Sequence, residues 1–282
     1  MHTPVLLDET LEALRIERGR LYIDATVGEG GHFKKILEKG GRVLGIDWDE
    51  KQIENLDLRI KNENAVLVTG NFKNIEKIAE ENGFYPVDGV LFDLGLSYGQ
   101  IEKSGRGFSY KQTDDLLDMR LSLNIKTKAS DLINSLSEEE LYDVFAKNSE
   151  EINSRAISQT IVGARRVKKI VKVADLIKAI KKAIGRDEQK ILARIFQALR
   201  IEVNKEFKNL KMGLKGSLKI LRPGGKIVVI SFHSLEGRII KKFIQENRNL
   251  IMEDKLIKSK SNMGFERSAQ LRVIVKAKNE NS

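Results

Sequence analysis

The residues best placed to do chemistry are Asp24-Ala-Thr-Val-Gly-Glu-Gly-Gly-His32, between a strand-like apolar run at Leu21-Tyr22-Ile23 and a helix-like run at Phe33-Lys-Lys-Ile-Leu37. A strand, a glycine turn and a helix start make a nucleotide-binding corner. Glycine lets the backbone turn sharply and lie against a flat ligand, and the first turn of a helix offers unpaired N–H groups. Asp47 closes the next apolar run, Arg42-Val-Leu-Gly-Ile46. That is about 20 residues on, where a carboxylate in such a fold accepts hydrogen bonds from a ribose. Asp24 reads either as a turn acid or as a second ligand contact.

The elements that must position these residues follow from the hydrophobic period. Strands are predicted near 21 to 25, 42 to 47, 65 to 69 and 88 to 94, with helices near 30 to 39, 49 to 60 and 72 to 82. Near-continuous apolar strands such as Ala65-Val-Leu-Val68 and Val90-Leu-Phe92 suit a parallel sheet covered on both faces. Right-handed crossovers then bring Asp24 to Gly31, Asp47, Gly70 to Phe72 and Asp93 to Gly95 to one edge of the sheet.

After about Gly105 the alternation stops. Helices are predicted at Ala129 to Asn134, Ser137 to Lys147, Glu151 to Val162 and Val173 to Ile184, the second fixed by the capping box Ser137-Glu-Glu-Glu140. A long helix from Ile191 to Leu221, broken near Gly213 or Gly216, leads to Arg222-Pro-Gly-Gly225, where glycine would cap it. The apolar run Lys226 to Phe232 and an antiparallel last strand, Gln270 to Lys276, follow. The expected architecture is α/β: a Rossmann-like, doubly wound, mostly parallel sheet formed by residues 1–104 and 198–282, with an inserted all-helical substrate-recognition domain at 105–197 over the mouth of the crevice.

Composition narrows the chemistry. A chain of 282 residues, 41% apolar, can bury one large core and a smaller appended one. With no Cys and three His, thiolate zinc, iron–sulfur and disulfide frameworks are excluded, and no clustered Asp-x-Asp loop calls for a metal. An organic cofactor is expected. The start, Met1 to Glu9, lacks a signal-peptide pattern and no run reaches the ~20 apolar residues of a membrane span, so a cytoplasmic protein is expected. The net charge of +10 favours a polyanionic partner. Much of it lies between Gly163 and Arg186, where Arg165, Arg166, Lys168, Lys169, Lys172, Lys178, Lys181, Lys182 and Arg186 face one acid, Asp175. A solvated helix face and a phosphate-contacting surface are both open readings.

A dinucleotide site wants a third glycine where this chain has Phe33, so a pyrophosphate ligand is disfavoured and one without phosphate, such as S-adenosylmethionine, fits better. Leu218-Lys-Ile-Leu-Arg-Pro-Gly-Gly-Lys-Ile-Val-Val229 resembles the approach to the fifth strand of class I methyltransferases. The resemblance then sharpens. His2-x-Pro-Val-Leu-Leu-Asp-Glu9, Asp24-Ala-Thr-x-Gly-x-Gly-Gly-His32, Asp93-Leu-Gly95, Arg106-Gly-Phe-Ser109, Leu117-Asp-Met-Arg120, Phe196-Gln-Ala-Leu-Arg-Ile-Glu-Val-Asn204 and Ile230-Ser-Phe-His-Ser-Leu-Glu236 are similar to the ribosomal RNA small-subunit methyltransferase H family, also called MraW, and Arg267-Ser-x-x-Leu-Arg272 extends the likeness.

That resemblance implies a class I S-adenosylmethionine-dependent fold and methylation of the exocyclic amino group of one cytosine of 16S rRNA, in the decoding region of the small ribosomal subunit. It assigns Gly30, Gly31 and His32 to the methionine end of the cofactor, Asp47 to the ribose, Phe72 and Asp93 to the adenine region, and Gln100 to the remaining contacts. Candidate substrate contacts are Arg106, Phe108, Arg120 and His233. Asp118-Met-Arg120 reads equally as a salt-bridged turn, His233 as a structural histidine, Phe72 as a core aromatic, and Phe196, Leu199 and Val203 as a buried helix face. Ser97-Tyr-Gly-Gln100 departs from the family pattern of two serines and a proline, and Gly99 loosens that loop. Glu236-Gly-Arg238 also departs, with Gly237 in place of the usual acid.

Methyl transfer from a sulfonium needs orientation and a dry site more than a strong base. The cytosine amino group still requires acceptors; the carbonyls of residues 94 to 97 or the Ser97 hydroxyl are the candidates, and a base in folded RNA must first be unstacked. Two rivals stand beside this reading: an amino-methyltransferase acting on another nucleic acid, and a non-catalytic small-subunit assembly factor with a degenerate cofactor site.

Overall fold

The computed structural model describes residues 4–185, 189–259 and 266–278. His2 and Arg186, both part of the motifs above, lie outside them. Contacts divide the chain into two compact units, Met1–Gly95 with Phe207–Ser282, and Leu96–Glu206. The sequence pattern sets the corresponding limits at 104/105 and 197/198.

The first unit is built on strands β1 (Leu21–Asp24), β2 (Arg42–Asp47), β3 (Ala65–Thr69), β4 (Val87–Asp93), β5 (Leu221–Ser231), β6 (Ile251–Lys258) and β7 (Gln270–Lys276), in the order β3-β2-β1-β4-β5-β7-β6. Strands β1 to β5 pair in parallel, and β7 runs antiparallel to both β5 and β6. This is the expected doubly wound, mostly parallel sheet with an antiparallel terminal strand. Side chains alternate across it: Ile23, Leu44, Val90, Phe92, Ile227 and Val229 enter one core, and Tyr22, Val43, Leu91, Val228 and Ile230 the other. Burial on both faces is why these strands are apolar throughout.

The helices of this unit are α1 (Leu7–Leu14), α2 (Gly31–Glu38), α3 (Glu50–Asp57) and α4 (Ile75–Glu81). The second unit holds α5 (Tyr98–Lys103), α6 (Ala129–Ser135), α7 (Glu138–Ser149), α8 (Ser154–Val167), α9 (Val173–Ile184) and α10 (Gln189–Asn204). Helices α11 (Glu206–Ile220) and α12 (Ser234–Glu246) follow. The Ser137 hydroxyl accepts from the Glu140 amide, and the Glu140 carboxylate accepts from the Ser137 amide at 2.7 Å, the predicted capping box. One face of α10, with Phe196, Leu199 and Val203, is buried in the helical core.

Three details differ from the sequence pattern. The long helix breaks at Lys205, whose φ is 52°, and not at Gly213 or Gly216. Those two glycines lie inside α11, where a Cβ would come within 2.8 Å of Phe72 and of Ile75. Gly224, with φ 76°, sits within β5 near a shift in its register with β4 and does not cap the helix, which ends at Ile220. Strand β6 was not expected: it is an edge strand exposed along most of its length, with charges that hide the strand period.

Candidate functional site

The loop after β1 is held from three directions. Ala25 N–H donates to the Leu91 carbonyl at 2.8 Å and Val27 N–H to the Ile46 carbonyl at 2.9 Å, continuing the sheet pairing past the strand end. Gly28 and Gly30 then take left-handed conformations, with φ 49° and 81°, and Gly30 N–H closes the turn on the Val27 carbonyl. Helix α2 starts at Gly31. A side chain at Gly30 would collide with Leu56 and one at Gly31 with Pro4, so both positions are small because the chain packs closely there. Pro4 thereby ties the N-terminal motif to the glycine turn.

Asp47, at the end of β2, accepts from Gly28 N–H at 2.9 Å through one oxygen and from Asp49 N–H at 2.8 Å through the other. The Trp48 N–H acts on the same carboxylate. Burial raises the Asp47 carboxyl to about 6, against the lowering effect of those amides. Asp24 is almost fully buried and accepts from Thr26 N–H at 3.2 Å; burial, with Asp93 and Asp47 adding to it, raises it to about 8. The Thr26 hydroxyl accepts from Asp93 N–H at 2.7 Å. Asp93 ends β4, and burial followed by the nearby Glu236 raises it to about 7.

His32 is buried, and its Nδ1 stands 3.6 Å from Asp93 Oδ2, beyond ordinary hydrogen-bond range. Burial lowers it to about 4, so the ring is neutral at pH 7 and offers these acids no countercharge. His32 Nε2 and Asp93 Oδ1 are both buried without a hydrogen-bond partner among the described residues. No Lys or Arg forms an ion pair with Asp24, Asp47 or Asp93 among the described residues. Buried carboxylates without a protein cation fit a ligand carrying positive charge and hydroxyl donors. No cluster suited to a metal occurs among the described residues.

Phe72 opens a short 3-10 helix after β3, its ring edge-on to Phe92 at 5.4 Å. His233 is the N-cap of α12: its Nδ1 accepts from Glu236 N–H at 3.4 Å, and its ring lies 5.8 Å from that of Phe207. Glu236, also buried, accepts from Phe232 N–H at 2.9 Å and His233 N–H at 3.3 Å. Asp24, for which sequence leaves a turn acid and a ligand contact both open, is joined here by Thr26 and Glu236, which have no role of their own in the sequence reading. A Thr two residues after a strand-terminal acid and the capping spacing His233 to Glu236 are their only local signals.

In the second unit, Gln100 and Ser97 form a capping box on α5, the Gln100 side chain accepting from Ser97 N–H at 3.0 Å and Ser97 Oγ from Gln100 N–H at 3.2 Å. The Arg106 guanidinium donates to the Arg120 and Leu121 carbonyls at 2.9 and 3.0 Å. Arg120 grips Asp118 through two bonds of 2.7 and 2.9 Å and reaches the Ile125 carbonyl at 2.8 Å. Burial raises the Asp118 carboxyl, and its hydrogen bonds from Arg120 outweigh that and hold it low. Phe108 belongs to the helical core. Asn204, at the end of α10, secures the same loop, donating to the Met119 carbonyl and accepting from Leu121 N–H, both at 2.8 Å. Among the bases of 163 to 185, Arg165 donates to the Ile133 carbonyl, Lys168 pairs with Asp175 at 3.4 Å and Lys172 with Asp114 at 3.8 Å.

A model of the MraW methylase family matches residues 1–279. The Ribosomal RNA small subunit methyltransferase H of Carboxydothermus hydrogenoformans is 41% identical over 254 residues, covering 88% of this chain and 81% of that one. The protein of the same name from Symbiobacterium thermophilum is 42% identical over 249 residues, covering 85% and 78%. The solved structure of a candidate rRNA-methylase from Clostridium thermocellum, 14% identical, shares the fold with a TM-score of 0.50 over 98% of this chain and 100% of that one.

Proposed function

We propose that this chain, which belongs to the MraW methylase family, transfers a methyl group from S-adenosylmethionine to ribosomal RNA of the small subunit, and that its target is the exocyclic N4 amino group of one cytosine of 16S rRNA in the decoding region. The observation that carries the reading is the match of the family model to nearly the whole chain, on a sheet whose carboxyl edge gathers buried acids without a protein cation.

When bound, the cofactor supplies an electrophilic methyl group on a sulfonium. In this reading Asp47, held by the Gly28 and Asp49 amides, takes the ribose hydroxyls, and Phe72 and Asp93 border the adenine. Gly30, Gly31 and His32 border the methionine end, and Gln100 completes the contacts. Arg106, Phe108, Arg120 and His233 serve the RNA, the two arginines by shaping the loop that carries them as much as by contact. The basic stretch on α8 and α9 meets phosphates. The ribosomal substrate puts its site of action in the cytoplasm in this reading; no helix among the described residues is long and apolar enough to cross a membrane.

Incubation of the purified chain with methyl-labelled S-adenosylmethionine and small subunits lacking the modification tests this directly. Label should enter 16S rRNA, with little in DNA. Absence of label in any RNA would overturn the reading.

A further inference from the structure

On several helices a surface lysine faces an acid one turn away. Lys35 pairs with Glu38 at 2.6 Å, Lys77 with Glu81 at 3.6 Å, Lys147 with Asp143 at 2.7 Å and Lys242 with Glu246 at 3.8 Å, the spacing that steadies a helix. Helix α11 does the reverse. Its exposed residues are Lys208, Lys211, Met212, Lys215 and Lys219, and successive lysines stand three or four residues apart, so each repels the next. Lys219 pairs with Glu76 at 2.9 Å, while the side chains of Lys208, Lys211 and Lys215 form no ion pair or hydrogen bond among the described residues. At 3.6 residues per turn and a rise of about 1.5 Å, these five positions make a stripe about 100° wide and about 16 Å long. The rest of the helix is fixed inward: Gly213 and Gly216 press on Phe72 and Ile75, which leaves the lysines no other face to occupy.

Resting on the reading of an rRNA substrate, we propose that this stripe is a docking track for the phosphate backbone of the small-subunit RNA, in addition to the basic stretch on α8 and α9. Like charges held in a row weaken the helix that carries them, and a polyanion laid along it turns that repulsion into attraction. The stripe starts beside a candidate substrate contact: Phe207, one residue before Lys208, lies 5.8 Å ring to ring from His233 at the carboxyl end of β5. From there α11 runs to Ile220, at the start of the same strand, so the track leads away from the carboxyl edge of the sheet. Lysines about 5 to 6 Å apart along the axis meet phosphates as point charges and read no base, so the stripe sets position and affinity rather than the choice of base.

Two triple variants of the full chain remove equal charge: Lys208→Gln/Lys211→Gln/Lys215→Gln from the stripe, and Lys77→Gln/Lys147→Gln/Lys242→Gln, whose lysines are already paired. Binding of 16S rRNA is titrated between about 50 and 200 mM salt. Methylation of small subunits lacking the modification is followed alongside. The stripe variant should lose about 2 to 3 from the slope of log affinity against log salt, from three phosphate contacts, and the paired variant much less. Its KM for subunits should rise while kcat and S-adenosylmethionine affinity hold. Glutamine is a good helix former, so thermal melts should not fall, and Lys208→Arg/Lys211→Arg/Lys215→Arg should keep the slope. A slope unchanged in the stripe variant, or an equal loss in both triple variants, would overturn the track. Weakened binding to vesicles of anionic lipid with RNA binding intact would overturn it too. If the unmodified chain neither binds nor methylates RNA, the rRNA reading itself falls, and the track with it.

Discussion

The Thr26 hydroxyl accepts the backbone N–H of Asp93 at 2.7 Å, joining the glycine turn after β1 to the end of β4 across 67 positions of sequence. Thr26→Val keeps the shape and removes the acceptor, stranding a buried N–H. The chain should lose about 1 to 3 kcal/mol of stability, the cost of an unmet buried donor, seen as a lower urea midpoint. An unchanged midpoint would mean that water or a neighbour replaces the hydroxyl.

Asp47→Ala should weaken S-adenosylmethionine binding by about 1 to 3 kcal/mol, roughly fivefold to 150-fold by calorimetry. The loss has two sources, the ribose partner and the anchor of Gly28 N–H. Asp47→Asn, which keeps acceptor oxygen on one side, should fall between the two. Equal affinity in all three would remove Asp47 from the site.

Stability should depend on pH in a direction opposite to that of most acids. Asp24 and Asp93 have folded-state values raised to about 8 and about 7, above the ordinary 3.8. Their contribution is therefore fully present below about pH 4 and is lost as pH rises through those folded values. Thermal melts of the ligand-free chain should fall between about pH 4 and 8, and Asp24→Asn should flatten that slope. A slope unaffected by the substitution would show that Asp24 ionises normally.

Arg120→Ala should destabilise the second unit, because it strands the Asp118 carboxylate and frees the Ile125 carbonyl. About 1.5 to 3 kcal/mol is expected for hydrogen bonds to a charged group. Arg120→Lys should recover part of this, lacking the two-pronged grip. Full stability with lost methylation would instead assign the side chain to direct RNA contact.

Much of the fold was legible because the parallel strands are buried on both faces and so read as apolar runs: β1 to β4 fall within a residue or two of their predicted limits. The break before α11 was not, since Lys205 turns the chain with no glycine to announce it. Gly213 and Gly216 carry the reverse lesson: they serve close packing on Phe72 and Ile75, which no local pattern reveals. At the site, Asp47 was visible through its spacing from the glycine turn, as Asp93 was through its place at the end of a strand. Glu236 was visible only within a motif, because its effect on Asp93 arises where separate strands end side by side. Arg120 shows the limit of motif reading: sequence leaves a salt-bridged turn and a substrate contact both open, and the bonds to Asp118 account for its guanidinium within the fold.

The most direct test of the account is mass spectrometry of 16S rRNA from cells with and without this chain. It predicts that one cytosine of the decoding region carries a methyl group on its N4 nitrogen only when the chain is present, and that Asp47→Ala reduces the modified fraction. A modification pattern identical in both cells, or a difference at a base other than cytosine, would contradict it.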